Sequence, residues 1–164
     1  LQNVTGFLVG KDFESAGIIK KGSQLINAVA NSAVPHITVI IGASYGAGTY
    51  AMSGRAYNNR FTFTWPTAKI AVMGPKQIAG VMSMVRRGAA VSKGEKFDED
   101  EDAMIVKAVE EIQEKGSLAL AATGLISDDG IIDPRDTRTV LGFCLSVVRN
   151  KPIEGAKSYG VFRL

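Results

Sequence analysis

The sequence holds a single histidine, His36, a single cysteine, Cys144, and a single tryptophan, Trp65, in 164 residues. One cysteine cannot form a disulfide within the chain, which fits a reducing compartment. One histidine and one cysteine cannot build a common zinc site. The acidic run Asp98-Glu99-Asp100-Glu101-Asp102 lacks the spacing and the sharp-turn glycine of a calcium loop, so no metal is expected. Charge of one sign is scarce too. The formal charge is +3, from 19 basic and 16 acidic residues. That excess is too small and too scattered to argue for nucleic acid. No apolar run approaches the ~20 residues of a membrane span, and no secretory leader is visible.

The chain does have the composition for a packed core. Hydrophobic residues make up 46% and charged residues 21%, which suits one globular domain. Residues 1–14 read as the tail of a strand entering a glycine-bearing loop. Ser15 is placed to cap a helix over 16–32, whose apolar residues Ile18, Ile19, Leu25, Ile26 and Val29 recur at helical spacing. Pro35 ends it. A β-branched strand at 36–41 follows, and then Gly42, Gly46 and Gly48, read as a sharp glycine turn. A short helix is expected over 47–54, with strands at 60–64 and 69–72. Pro75 suits a first helical position, ahead of Ile78, Val81, Met82 and Val85. Residues 86–96 read as a polar connector. A long helix is expected over 98–115, with Met104, Ile105, Ala108, Val109 and Ile112 on one face. Ser117 begins another helix, Asp128-Asp129-Gly130 makes a turn, and a last helix carries Val140, Leu141, Leu145 and Val148. The tail from Pro152 is expected outside the core. Strands alternating with helices give an α/β class. Cys144 and the methionines Met73, Met82 and Met84 read as core packing.

Gly42-Ala43-Ser44-Tyr45-Gly46 matches the G-x-S-x-G nucleophile elbow. A serine hydrolase needs a histidine base after the serine. Only His36 exists, and it precedes Ser44 by ~16–27 Å of extended strand. That argues against a hydrolase. The Walker and dinucleotide patterns also fail, since Gly46-x-Gly48 is not completed. What remains is the main chain. The N–H groups of Ala47 and Gly48 lie where the turn enters a helix, so they cannot all bond within it. Two readings stay open: a packing turn wetted by water, and a cradle for a ligand oxygen.

Several motifs in one order carry a resemblance. Val4-Thr5-Gly6-Phe7-Leu8-Val9-Gly10, Ala16-Gly17-Ile18-Ile19-Lys20-Lys21-Gly22, Val34-Pro35-His36-Ile37-Thr38-Val39-Ile40 and Gly46-Ala47-Gly48-Thr49-Tyr50-Ala51-Met52 are four of them. Residues 65–74 and 130–138 continue it. Together they resemble the carboxyltransferase (β) subunit of biotin-dependent acyl-CoA carboxylases, over nearly the whole chain. Gln2-Asn3 ahead of Thr5-Gly6, and the Gly-Ala-Gly turn, look most like the methylcrotonyl-CoA carboxylase branch.

The resemblance implies a crotonase-like spiral of ββα units, with residues 1–164 as a single C-terminal carboxyltransferase domain. It implies a fragment lacking the N-terminal CoA-binding domain, and a site shared between that domain of one subunit and this domain of another. Carried across residue by residue, the Ala47 and Gly48 amides form the oxyanion hole for the biotin carbonyl. Tyr45 and Gly46 line the biotin pocket, and Thr49 and Tyr50 sit where the acyl group is tuned. Phe7, Phe13 and Trp65 are further pocket candidates, with core packing the simpler reading. Biotin would arrive on a partner carrier domain and acyl-CoA as substrate, within a hexameric homo-oligomer served by a biotin carboxylase/carrier subunit. Cytoplasm is the implied location, or the mitochondrial matrix in a eukaryote. A glutaconyl-CoA-type decarboxylase and a non-catalytic scaffold of the same fold are the alternatives. Gly48→Val is expected to abolish transfer while leaving folding nearly intact.

Overall fold

The computed structural model describes residues 1–156 and Ser158. Of the tail expected outside the core, Lys157 and residues 159–164 fall outside the described part.

One long strand organises the sheet. β2 (Ile37–Tyr45) carries β1 (Gln2–Val4) on one edge. On its other edge sit two short strands in tandem. β3 (Phe61–Thr64) pairs with the first half of β2, Ile37 opposite Phe61 and Ile40 opposite Thr64. β4 (Lys69–Ala71) pairs with the second half, Ala43 opposite Lys69 and Tyr45 opposite Ala71. All three pairings are parallel, so every return needs a crossover. The expected α/β class stands. Around the sheet lie α1 (Lys11–Ser15), α2 (Ile18–Ala30), α3 (Ala47–Ala51), α4 (Pro75–Lys93), α5 (Glu99–Ser117), α6 (Ala119–Gly124) and α7 (Thr137–Val148).

Three local expectations change. The strand does not stop at Ile41, because Gly42 is not a turn glycine. A Cβ there would lie 2.5 Å from Asn3 Oδ1, and that oxygen accepts the Ala43 N–H at 2.9 Å. Gly42 lets β1 and β2 approach, and the turn falls at Gly46 alone, with φ 58°. Ser15 does not cap α2. It ends α1, and Gly17 in the left-handed region, φ 80°, starts α2. Residues 86–96 are no connector, since α4 runs unbroken to Lys93 and the loop is only 94–98. Arg86 and Arg87 lie on the helix and reach across to α5: Arg86 to Asp102 at 2.6 Å, Arg87 to Glu99 at 2.7 Å. Asp98 caps α5 as its position suggests, accepting from the Asp100 and Glu101 amides at 3.0 Å.

The buried core is built of small residues around Ile40, Ala68 and Ala119, with Ile70 and Ile131 against them. Cys144 is buried as expected, and burial pushes its thiol pKa up. The methionines are not: Met73, Met82 and Met84 are exposed. So are Ile19 of α2, Val81 and Val85 of α4, Met104 and Ile112 of α5, and Phe143 of α7. The apolar stripes read as inward faces therefore lie largely open. The accessible surface is 11198 Å², against ~7,900 Å² for a compact monomer of this mass. Among the described residues, no helix is long and apolar enough to cross a membrane.

Candidate active site

The site forms where β2 ends. Gly46 N–H donates to the Ala71 carbonyl at 3.1 Å, tying the turn to β4. Gly46 then turns the chain with a positive φ, where a Cβ would also press within 3.1 Å of the Val72 carbonyl. Its own carbonyl accepts from Thr49 N–H at 3.1 Å, closing the first turn of α3. The N–H groups of Ala47 and Gly48 find no acceptor among the described residues. Gly48 is buried, and a Cβ on it would lie 2.1 Å from Val4 Cγ1. A bulky residue at 48 must therefore displace β1. This corrects the expectation that Gly48→Val leaves folding nearly intact.

A cavity of about 550 Å³ opens beside this turn. Gly46, Ala47, Thr49 and Tyr50 line it, together with Gln2, Ile40, Arg55 and Ile70. A second hollow, of about 360 Å³, lies between the 7–9 loop and α2, and Ala47 lines this one too. Ala47 is thus a shared wall. Tyr45 and Gly48 do not line the larger cavity. Tyr45 lies near Gly74, whose Cβ would come within 3.8 Å of its ring. Phe7 lines the second hollow with its ring against Gly22, while Phe13 is exposed. Trp65 donates its indole N–H to Thr137 Oγ1 at 3.0 Å.

The elbow serine is not a nucleophile. Ser44 lies within β2, fully buried, bonded to Gln2 Nε2 at 2.6 Å and to Thr49 Oγ1 at 2.9 Å. His36 is spent elsewhere, on Ser53 Oγ at 2.7 Å and Ser32 Oγ at 3.0 Å. Among the described residues, no three histidine, cysteine or acidic side chains gather to hold a metal.

Two parts of the site were not read from the sequence. Arg55, on the cavity wall, donates from Nη1 to both carboxylate oxygens of Asp129 at 2.8 Å, and Asp129 also accepts the Thr62 N–H at 2.8 Å. Next to it, Asp128 is buried and accepts from the hydroxyls of Thr64 and Thr123. Desolvation pushes its pKa up against the lowering effect of Thr123. The Asp128-Asp129-Gly130 turn was legible as a turn, but no local pattern ties it to residues 55, 62 and 64.

With this geometry in hand, comparison with known proteins places the chain. It belongs to the carboxyl transferase domain family, whose model matches residues 1–162. It is 58% identical over 164 residues to the probable biotin-dependent acyl-coenzyme A carboxylase beta2 subunit of Mycobacterium tuberculosis, covering all of this chain and 31% of that one. It is 46% identical to the mitochondrial methylcrotonoyl-CoA carboxylase beta chain of Arabidopsis thaliana, covering all of this chain and 28% of that one. The solved β subunit of P. aeruginosa geranyl-CoA carboxylase superposes with a TM-score of 0.81 at 41% identity, over 97% of this chain and 30% of that one. The fold is crotonase-like, as the resemblance implied. The chain spans about three tenths of the length of these relatives.

Proposed function

We propose that this domain supplies the biotin-binding half of a carboxyltransferase site, moving a carboxyl group from carboxybiotin to an acyl-CoA of the methylcrotonyl-CoA kind. The observation that carries the reading is the pair of Ala47 and Gly48 N–H groups, neither with an acceptor among the described residues, with Ala47 on a cavity wall and Gly48 buried next to it. The site fits the cofactor in its donors: two adjacent main-chain N–H groups match one ureido oxygen. Biotin, brought in on a partner carrier, supplies the carboxyl group and a ureido nitrogen basic enough to take the substrate α-proton.

The chain's own contribution is electrostatic. The Ala47 and Gly48 amides are held in place before reaction by the Gly46–Ala71 and Gly46–Thr49 bonds. They stabilise the negative charge that builds on the ureido oxygen, and one such donor is worth ~3 kcal/mol. Gly46 walls the cofactor side, while Tyr45, proposed beside it, packs near Gly74 outside the cavity lining. Thr49 and Tyr50 face the acyl side, where Tyr50 stands edge-on to Tyr57 with ring centres 5.8 Å apart. No side-chain base is asked of this domain, which accords with its one histidine being tied to Ser32 and Ser53.

The exposed apolar helix faces support partners: an N-terminal CoA-binding domain, further copies of the chain in a hexamer, and a biotin carboxylase/carrier subunit. The mitochondrial Arabidopsis relative and the buried Cys144 thiol suit the cytoplasm or, in a eukaryote, the mitochondrial matrix.

Ala47→Pro tests the reading. Proline deletes one N–H that makes no bond within the described chain, at a first helical position that tolerates it. In the full-length protein with its carboxylase partner, methylcrotonyl-CoA carboxylation should fall ~10²–10³-fold with the melting temperature nearly unchanged. Undiminished turnover removes Ala47 from the site. Residues 1–164 alone should show no transfer from free biotin.

A further inference from the structure

Gln2, Ser44 and Thr49 form a line of side-chain hydrogen bonds under the turn. Gln2 is 1% exposed and Ser44 0%. Gln2 Nε2 donates to Ser44 Oγ at 2.6 Å, and Ser44 Oγ lies 2.9 Å from Thr49 Oγ1. An amide nitrogen only donates. Ser44 Oγ therefore accepts from Gln2, and its own buried proton needs an acceptor, since a buried donor left unmade is costly. Among the described residues, Thr49 Oγ1 is the acceptor within reach. The direction follows from the Gln2 amide as placed, with Nε2 toward Ser44 Oγ; with the amide reversed, Ser44 would donate to the Gln2 carbonyl and Thr49 to Ser44. As it stands, that carbonyl, Gln2 Oε1, is already the atom without a partner.

The bonds thus run one way, from Gln2 through Ser44 to Thr49. The Thr49 hydroxyl proton is left with no acceptor among the described residues. Thr49 and Gln2 both line the 550 Å³ cavity that Ala47 lines. The Thr49 methyl, Cγ2, lies close to Gly54, which carries no side chain of its own there. A one-way chain of hydrogen bonds polarises each successive donor.

We infer that the Thr49 hydroxyl is a third donor to the ligand oxygen held at Ala47 and Gly48, aimed by Gln2 acting through Ser44. The inference rests on the biotin site proposed above. It gives Thr49 a role toward the ureido oxygen, beyond shaping the acyl side, and makes Gln2 a positioning residue.

The probe is free biotin labelled with ¹³C at the ureido carbonyl, bound to the full-length protein and read by isotope-edited infrared spectroscopy and by its dissociation constant. Thr49→Val should move the bound carbonyl band to higher wavenumber and weaken binding about 3–10-fold. Thr49→Ser, which keeps the hydroxyl, should restore both. Gln2→Met frees Ser44 to accept the Thr49 proton, and should move the band the same way by a smaller amount. A band unmoved in Thr49→Val overturns the inference while the biotin site stands. If Thr49→Val does not fold, an unmoved band in Gln2→Met overturns it instead. A wild-type protein that binds no biotin overturns the site itself and this inference with it.

Discussion

The turn at 46–54 and the helical hairpin of α4 and α5 are built on opposite plans. The turn is held by main-chain bonds and close approach: Gly46 to Ala71 and Thr49, Gly48 against Val4, Gly54 against Thr49. It holds two polar groups, the Ala47 and Gly48 amides, without a partner among the described residues. The hairpin is held by charge. Arg86 bonds Asp102, Arg87 bonds Glu99, and Ser83 donates to Asp102. It leaves apolar side chains, Met84, Val85, Val91 and Met104, without cover. Each region is thus incomplete in its own currency. The turn offers donors to a ligand, and the hairpin offers apolar surface to a partner.

The comparison can be broken from either side. The largest effect should come at the turn. Ala47→Pro is expected to cost ~10²–10³ in turnover without loss of stability. Gly48→Val should abolish turnover and, by driving a side chain into Val4, also lower stability by ~1–3 kcal/mol. Thermal unfolding beside the kinetic assay separates the two variants. A Gly48→Val protein as stable as wild type would contradict the close approach to β1.

Next comes the hairpin. Asp102 is buried and Arg86 is its charge partner. Arg86→Ala should cost ~2–4 kcal/mol, because it strands a buried carboxylate. Denaturant unfolding of the full-length protein checks this. Placing glutamate at Met84 and Val85 together should leave the fold alone and weaken subunit assembly, read by light scattering. Unchanged assembly would mean that this face meets no partner.

A smaller effect is expected at Asp128, which ties β3 to α6 through Thr64 and Thr123. Its pKa is raised, chiefly by burial, so the folded state holds this proton more tightly than the unfolded state does. Its stabilising contribution is full below the ordinary carboxylate range and is lost as pH rises through the folded pKa. Asp128→Asn should therefore flatten the pH dependence of stability on the acid side of neutrality. An unaltered profile would exclude Asp128 as its source. The smallest effect belongs to Asp133–Arg135, an exposed pair 2.7 Å apart. Breaking it by Arg135→Ala should change stability by less than ~1 kcal/mol.

Much of this was legible locally. Pro75 at the start of α4, the start of a long helix at about Asp98, the β-branched run of β2 and the buried Cys144 follow from single-residue chemistry. The glycine turn was legible too, but Gly42 was misplaced in it. Its reason is Asn3, whose Oδ1 also accepts the N–H of Ala43 from forty residues away, and no local pattern records that approach. Residues 86–96 misled for a similar cause. Arg86 and Arg87 look like loop residues until Glu99 and Asp102 fold back against them. The helical apolar periodicity of α4 and α5 was genuine, but periodicity tells which residues share a face and not what covers it. At the site, the sequence marked residues 45–50 through their motif. The anchoring of Arg55 by Asp129 left no local trace, because 74 residues separate the two.

The most direct measurement is a crystal structure of the full-length protein with free biotin. The account predicts the ureido oxygen within hydrogen-bond distance, about 2.7–3.2 Å, of both the Ala47 and Gly48 nitrogens. It is contradicted if those two N–H groups bond to protein atoms from another domain or subunit, with biotin bound elsewhere.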